Sequence, residues 1–198
     1  MNAKTMKRLC AVVLAGALLG LTACSKAEAP KVAASQEGDS LGGYVLILNY
    51  TDIPIGSVYV DGRYAGAMVA NSGDVGTGLT SIDVPKHWDP NFKVTIKWSD
   101  DELYEKDKNA LYVKEVPIEK YPPLDASFFY VAFYPNHEVK LYLTRYGPGA
   151  KDDPYHLEHP KDACLKRKAP QDRETCYAPE YRGEYRALQK QKELQKQQ

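Results

Sequence analysis

A net charge is the first thing this sequence lacks: 26 Lys and Arg stand against 26 Asp and Glu over 198 residues. A chain so balanced offers phosphates no net basic face, which excludes nucleic acid as the expected partner. It also lacks a long apolar run. The stretch from Leu9 to Gly20 is too short to cross a bilayer as a permanent helix. Local catalytic signatures are missing as well. With no G-x-S-x-G elbow, no P-loop and no H-E-x-x-H, an enzyme would have to assemble its site from residues distant in sequence, and no cofactor is implied. Phe and Trp are few, at four and two, while tyrosine reaches 15. Tyrosine suits strands and binding surfaces alike, and composition leaves both uses open.

The short apolar run follows Lys4, Lys7 and Arg8 and ends in Leu21-Thr22-Ala23-Cys24. A basic start, an apolar middle and small residues before a cysteine make residues 1–23 a lipoprotein signal peptide that is removed. The alternative is an ordinary secretory peptide with an incidental cysteine; Leu21, Ala23 and Ser25 favour the lipobox. Cys24 then heads the mature chain and is the expected lipidation site, each buried methylene of its acyl chains adding about 0.8 kcal/mol of membrane affinity. Ser25, rather than an aspartate, favours the inner leaflet of the outer membrane, facing the periplasm. The expected localisation is the cell envelope. Loss of the leader removes three of the 26 basic residues and no acidic one, leaving 23 against 26 and a net charge near −3. Residues 24–40 contain no aromatic side chain and read as a lipidated tether with a span of about 20–25 Å.

Cys10 leaves with the leader and Cys24 is acylated, so Cys164 and Cys176 remain as a pair in an oxidising compartment. They are expected to form a disulfide, constraining the unfolded chain by roughly 3 kcal/mol. A free pair or a metal site is the alternative, with His159 as the nearest extra ligand.

The mature length suits one domain with a sizeable core. Tyr44–Asn49 is a continuous apolar run. Ser57–Val60, Asp61-Gly62 and Arg63–Met68 read as strand, type I′ turn and return strand. Gly66–Gly78, with four glycines, is expected to run into a mobile loop. Phe92–Trp98 alternates as a half-buried antiparallel strand, and Leu79–Val84, Leu111–Val116, Ser127–Tyr134 and Glu138–Thr144 complete the strand set. The expected fold is mainly β, an immunoglobulin-like antiparallel β-sandwich over residues 41–146. Residues 147–198 are expected to form an irregular extension held by the disulfide, followed by a helix from Glu180 to Gln198.

Four clusters carry candidate chemistry. His156-Leu157-Glu158-His159, with Asp152 and Asp153, holds enough ligands for a divalent metal, although the spacing matches no established site and a solvated loop is the plainer reading. His87-Trp88-Asp89-Pro90 is read as an aromatic plug at an open end of the sandwich rather than an acid–base site. Asp100-Asp101-Glu102, with Glu105 and Asp107, lacks the spacing of a calcium loop and reads as a hydrated acidic turn. Lys166-Arg167-Lys168 is either a contact for anionic lipid or plain soluble surface.

Asn49-Tyr50-Thr51-Asp52, Ile55–Gly62, the glycine-rich loop, Val84–Pro90 and Val94–Trp98 together resemble the domain-of-unknown-function 3304 family of bacterial lipoproteins. Phe128–Tyr134, Glu138-Val139 and Gly147-Pro148-Gly149 fit as well, so the resemblance spans roughly Gly43–Gly149. Many members carry a cysteine pair where this chain has Leu79-Thr80-Ser81, so Cys164–Cys176 would be its own substitute. The resemblance implies a compact β domain in the envelope. It further implies a type VI secretion neighbourhood beside lipase or phospholipase effectors, and hence an immunity protein that binds and neutralises such an effector without being an enzyme. The hairpin tip at Arg63 and Tyr64 and the loop around Asp74 are the candidate partner-binding residues. Two alternatives stand beside it: a structural or assembly lipoprotein whose C-terminal helix reaches another component, and a metal-dependent enzyme or binder using His156 and His159.

Overall fold

Two sheets organise the chain in the computed structural model, which describes residues 40–73, 80–123 and 127–196. The first, sheet A, contains β1 (Ser40–Asn49), β4 (Ser72–Gly73), β5 (Ser81–Pro85), β8 (Ser127–Tyr134) and β9 (Glu138–Thr144). The second, sheet B, contains β2 (Ile55–Val60), β3 (Arg63–Met68), β6 (Lys93–Asp100) and β7 (Tyr112–Pro117). Sheet A runs β4-β1-β8-β9, with β5 sharing the β4 edge of β1, and sheet B runs β3-β2-β6-β7. The leader, Cys24 and the tether before Ser40 lie outside the described residues, as does Asp74.

All pairings between these strands are antiparallel but one. β1 and β8 run parallel, from Gly43 opposite Ser127 to Asn49 opposite Phe133. A parallel pair needs a long crossover in place of a hairpin, and the chain supplies it by building sheet B before returning to sheet A. The expected antiparallel sandwich is therefore mixed at its centre. The inner faces meet in one apolar core, where Val45, Ile47, Phe129 and Val131 of sheet A pack in the same cluster as Val58, Val60, Val94 and Ile96 of sheet B. Trp98 lies in that core against Phe133, ring centroids 5.5 Å apart.

The 2.0-residue period of a strand explains why β6 alternates and β1 does not. On β6, Val94, Ile96 and Trp98 point into the core while Lys93, Thr95 and Lys97 face outward. On β1, Leu46 and Leu48 point away from the core into a second apolar cluster, with Tyr130, Ala132 and Tyr142. Strands buried on both faces read as continuous apolar runs. The hairpin between β2 and β3 follows its turn signal: Asp61 and Gly62 both have positive φ, 45° and 80°, as a type I′ turn requires.

The chain after β9 is less irregular than expected. α2 (Pro160–Arg167) and a 3₁₀ segment (Pro170–Cys176) lie between the loops, and α3 (Arg182–Lys196) follows. Pro160 starts α2 and Lys166 and Arg167 close it, a start and stop pattern that favours a short helix even in a Pro-rich stretch. The disulfide is present: Cys164 on α2 and Cys176 at the end of the 3₁₀ segment have Cα atoms 5.6 Å apart and are both buried. The acidic run likewise forms a helix, α1 (Asp101–Lys106), with Asp100 as its N-cap, accepting from the Leu103 N–H at 2.8 Å. Asp100 is buried rather than hydrated. Among the described residues no helix is long and apolar enough to cross a membrane.

Candidate binding surface

Tyrosine is placed in two ways. On the outer face of sheet A, Tyr50, Tyr130, Tyr134, Tyr142 and Tyr155 form a seam beneath the segment leading into α2. Tyr50 and Tyr134 stack with centroids 4.8 Å apart and planes 2° from parallel, and Tyr142 meets Tyr155 at 5.0 Å. Their hydroxyls are placed as carefully as their rings: Tyr50 donates to the Glu158 carbonyl at 2.7 Å, Tyr155 to the Lys120 carbonyl at 3.0 Å, and the Tyr134 and Tyr142 hydroxyls meet at 3.2 Å. Burial pushes the Tyr130 phenol up to about 12, with the Asp153 charge adding to it. It likewise drives Tyr50, Tyr142 and Tyr155 well above the ordinary phenol value.

A polar latch closes this seam. Asp52 accepts from Asn71 Nδ2 at 3.0 Å and from Lys168 Nζ at 2.6 Å, and Arg167 reaches Asp52, Asn71 and the Tyr50 carbonyl at 3.1–3.3 Å. Burial alone would raise the Asp52 carboxyl. The hydrogen bonds from Lys168 and Asn71, with the charges of Lys168 and Arg167, outweigh it and hold the group below its ordinary value. The Asn49–Asp52 corner that opens the latch is itself fixed by Asn49, whose side chain donates to the Ile53 carbonyl at 2.9 Å and accepts from the Thr51 N–H at 2.9 Å. Lys166 pairs with Glu158. The basic triplet is thus spent inside the molecule, which neither reading of the sequence anticipated.

The outer face of sheet B is the opposite case. Register places Tyr64, Tyr59, Lys97 and Val113 in one row across β3, β2, β6 and β7. Val113 is 60 % and Tyr64 49 % exposed, and the Tyr59 and Tyr64 rings meet edge to face at 5.5 Å. The tip is rigid because Asp61 accepts from the Thr95 N–H at 2.8 Å while its own N–H donates to the Thr95 carbonyl at 2.9 Å. Arg63 and Tyr64, read together from the sequence as one contact, point to opposite faces. Arg63 reaches across to β5, donating to the Ser81 carbonyl at 2.9 Å, and Tyr64 joins the exposed row. The third candidate, Asp74, lies outside the described residues. Tyr59, Lys97 and Val113 escaped sequence reading because only register brings them into line; the alternation of Phe92–Trp98 was the one signal that its outward face is wet.

The remaining candidate clusters are largely used by the fold. Asp153 is turned inward, accepting from Thr144 Oγ1 at 3.2 Å and from the Leu157 N–H at 2.8 Å. Among the described residues no three His, Cys, Asp or Glu side chains gather as a metal site. Trp88 packs against the core and donates to the Ile118 carbonyl at 3.0 Å, closing one end of the sandwich. At the other end, His137 Nδ1 stands 3.7 Å from the Asp100 carboxylate, beside a cavity of about 320 Å³ floored by Trp98 and Phe133. The neighbouring hydroxyl, Ser99 Oγ, donates to the Asp100 carbonyl instead of to the imidazole. The pair therefore acts as a cap and not as an activated nucleophile's base.

Residues 48–141, from the centre of β1 to the middle of β9, match the family model described as Protein of unknown function (DUF3304). This stretch is a DUF3304 domain. It includes the latch corner Asn49–Asp52, the hairpin and both sheets' inner strands, and ends before α2. No curated protein matches the chain. The NMR structure of a protein from Eubacterium rectale is similar at 12% identity over 61% of this chain and 99% of that one, with a TM-score of 0.26, too low to bear on the fold.

Proposed function

We propose that the chain is an envelope lipoprotein, anchored to the periplasmic face of the outer membrane through Cys24, that neutralises a lipid-attacking type VI effector by binding it. The observation that supports this reading is the exposed row Tyr64–Tyr59–Lys97–Val113 on a rigid sheet. Aromatic anchors beside a cation, preorganised so that little entropy is lost on docking, are what a stoichiometric inhibitor needs. A lipid tether would hold that surface where phospholipids come under attack. The type VI neighbourhood implied by the sequence resemblance supplies the class of partner.

Capture from envelope extract of cells expressing their secretion genes, with the whole chain as bait, tests the reading. The expected result is a near-stoichiometric phospholipase or lipase whose activity falls on binding and whose affinity drops at least tenfold with Tyr59→Ala plus Tyr64→Ala. Recovery of envelope scaffold proteins alone would replace this reading with an assembly role.

A further inference from the structure

The mature chain is acidic, but its charge is unevenly spread. Arg182–Lys196 holds five cations (Arg182, Arg186, Lys190, Lys192 and Lys196) against Glu184 and Glu193, so the rest of residues 24–198 carries 18 basic against 24 acidic side chains. α3 is thus a basic pole on an acidic body. Its facing is equally uneven. Arg182, Tyr185 and Gln189 are the less exposed positions, Tyr185 packing on Tyr177 at 4.5 Å and Arg182 donating to the Tyr177 carbonyl at 3.1 Å. At 3.6 residues per turn the opposite side carries Ala187, Leu188, Gln191 and Leu194, and Leu188 and Leu194 are 49% and 54% exposed. Lys190 and Lys192 flank Gln191, about 100° to either side of that face. Both are exposed and hold no ion pair among the described residues.

We infer that this face of α3 lies on an anionic lipid surface. Leucines on the outward face with lysines on both shoulders match a helix lying in the headgroup plane, its apolar residues dipping inward and its ammonium groups reaching phosphates. The opposite charge of the body orients the contact, since anionic lipid attracts α3 and repels the remainder. Two leucines are too little apolar surface to hold a helix on lipid unaided, so the contact is a second, reversible signal beside an N-terminal anchor. It would set how the sheet B row is presented, and it is independent of what that row binds.

The test is hydrogen exchange on the full chain, anchored through its own N-terminus in phosphatidylethanolamine vesicles with phosphatidylglycerol or in phosphatidylcholine vesicles. The expected result is slowed exchange at Ala187–Leu194 with phosphatidylglycerol only, reversed by salt. Each lysine near such a surface is worth roughly fivefold, about 1 kcal/mol, so Lys190→Gln with Lys192→Gln should lower the docked-to-free ratio by about 25-fold. Both side chains are exposed, and unchanged exchange in the two sheets would confirm the variant's fold. Equal α3 exchange on the two vesicles overturns the inference, as does protection that survives the double variant or appears only on adding envelope proteins.

Discussion

The two sheets use the same residue to opposite ends. Sheet A, with a core on one side and the C-terminal segment on the other, buries its tyrosines and satisfies their hydroxyls from carbonyls and from one another. Sheet B has a core on one side only, and its tyrosines remain partly or largely in water. A tyrosine's role is therefore set by what lands on its face. Burial with a satisfied hydroxyl makes it a fastener, and exposure on a rigid strand makes it an anchor for something else.

The largest test of that contrast is Tyr130→Ala, which removes a fully covered ring from the seam. It should cost about 3–5 kcal/mol by denaturant unfolding, enough to threaten a domain whose whole stability is of order 5–15 kcal/mol. Next comes Cys164→Ser with Cys176→Ser, expected to cost roughly 3 kcal/mol. Hydrogen exchange should place the loss first in α2 and the seam, leaving sheet B protected; uniform loss across both sheets would break the distinction.

The seam should also fail at high pH. The folded-state phenols are raised, so their contribution is fully present below the ordinary phenol value near 10 and is lost as pH rises toward about 12, where Tyr130 ionises in place. Phenolate absorbance followed together with tertiary circular dichroism would show ionisation of the buried tyrosines coinciding with loss of packing. At the acid end the sign reverses. The Asp52 carboxyl is held below its ordinary value near 3.9, so its contribution is present above that value and lost as pH falls through the depressed one. Asp52→Asn should abolish this acid step, with only about 0–1 kcal/mol lost at neutral pH because the group is half exposed. The smallest effect is expected from Tyr64→Ala, within about 0.5 kcal/mol of the parent. A larger loss would mean that the sheet B row is part of the fold and not a surface held for a partner.

Much of the architecture was legible because its causes are local. Asp61-Gly62 announces its hairpin through the two positive φ angles that a type I′ turn needs, and Val94, Ile96 and Trp98 announce a one-sided strand by their alternation. The cysteine pair followed from counting. α1 and α2 were misjudged because acidic and Pro-rich stretches resemble turns until the cap at Asp100 and the first-turn role of Pro160 are seen. The candidate site was half legible: Tyr64 lies on the exposed row, whereas Arg63 braces β5 from the other face.

By itself the sequence determined the strands, the hairpin and the disulfide pairing, since each depends on neighbours along the chain or on simple elimination. It also determined where positive charge concentrates, at α3. Only the tertiary structure decided that β1 and β8 lie parallel, that Arg167 and Lys168 are spent on Asp52, and which tyrosines are covered. Those outcomes depend on segments some 80 to 120 residues apart meeting across a sheet, and a strand's own periodicity says which way a side chain points but not what will be waiting there.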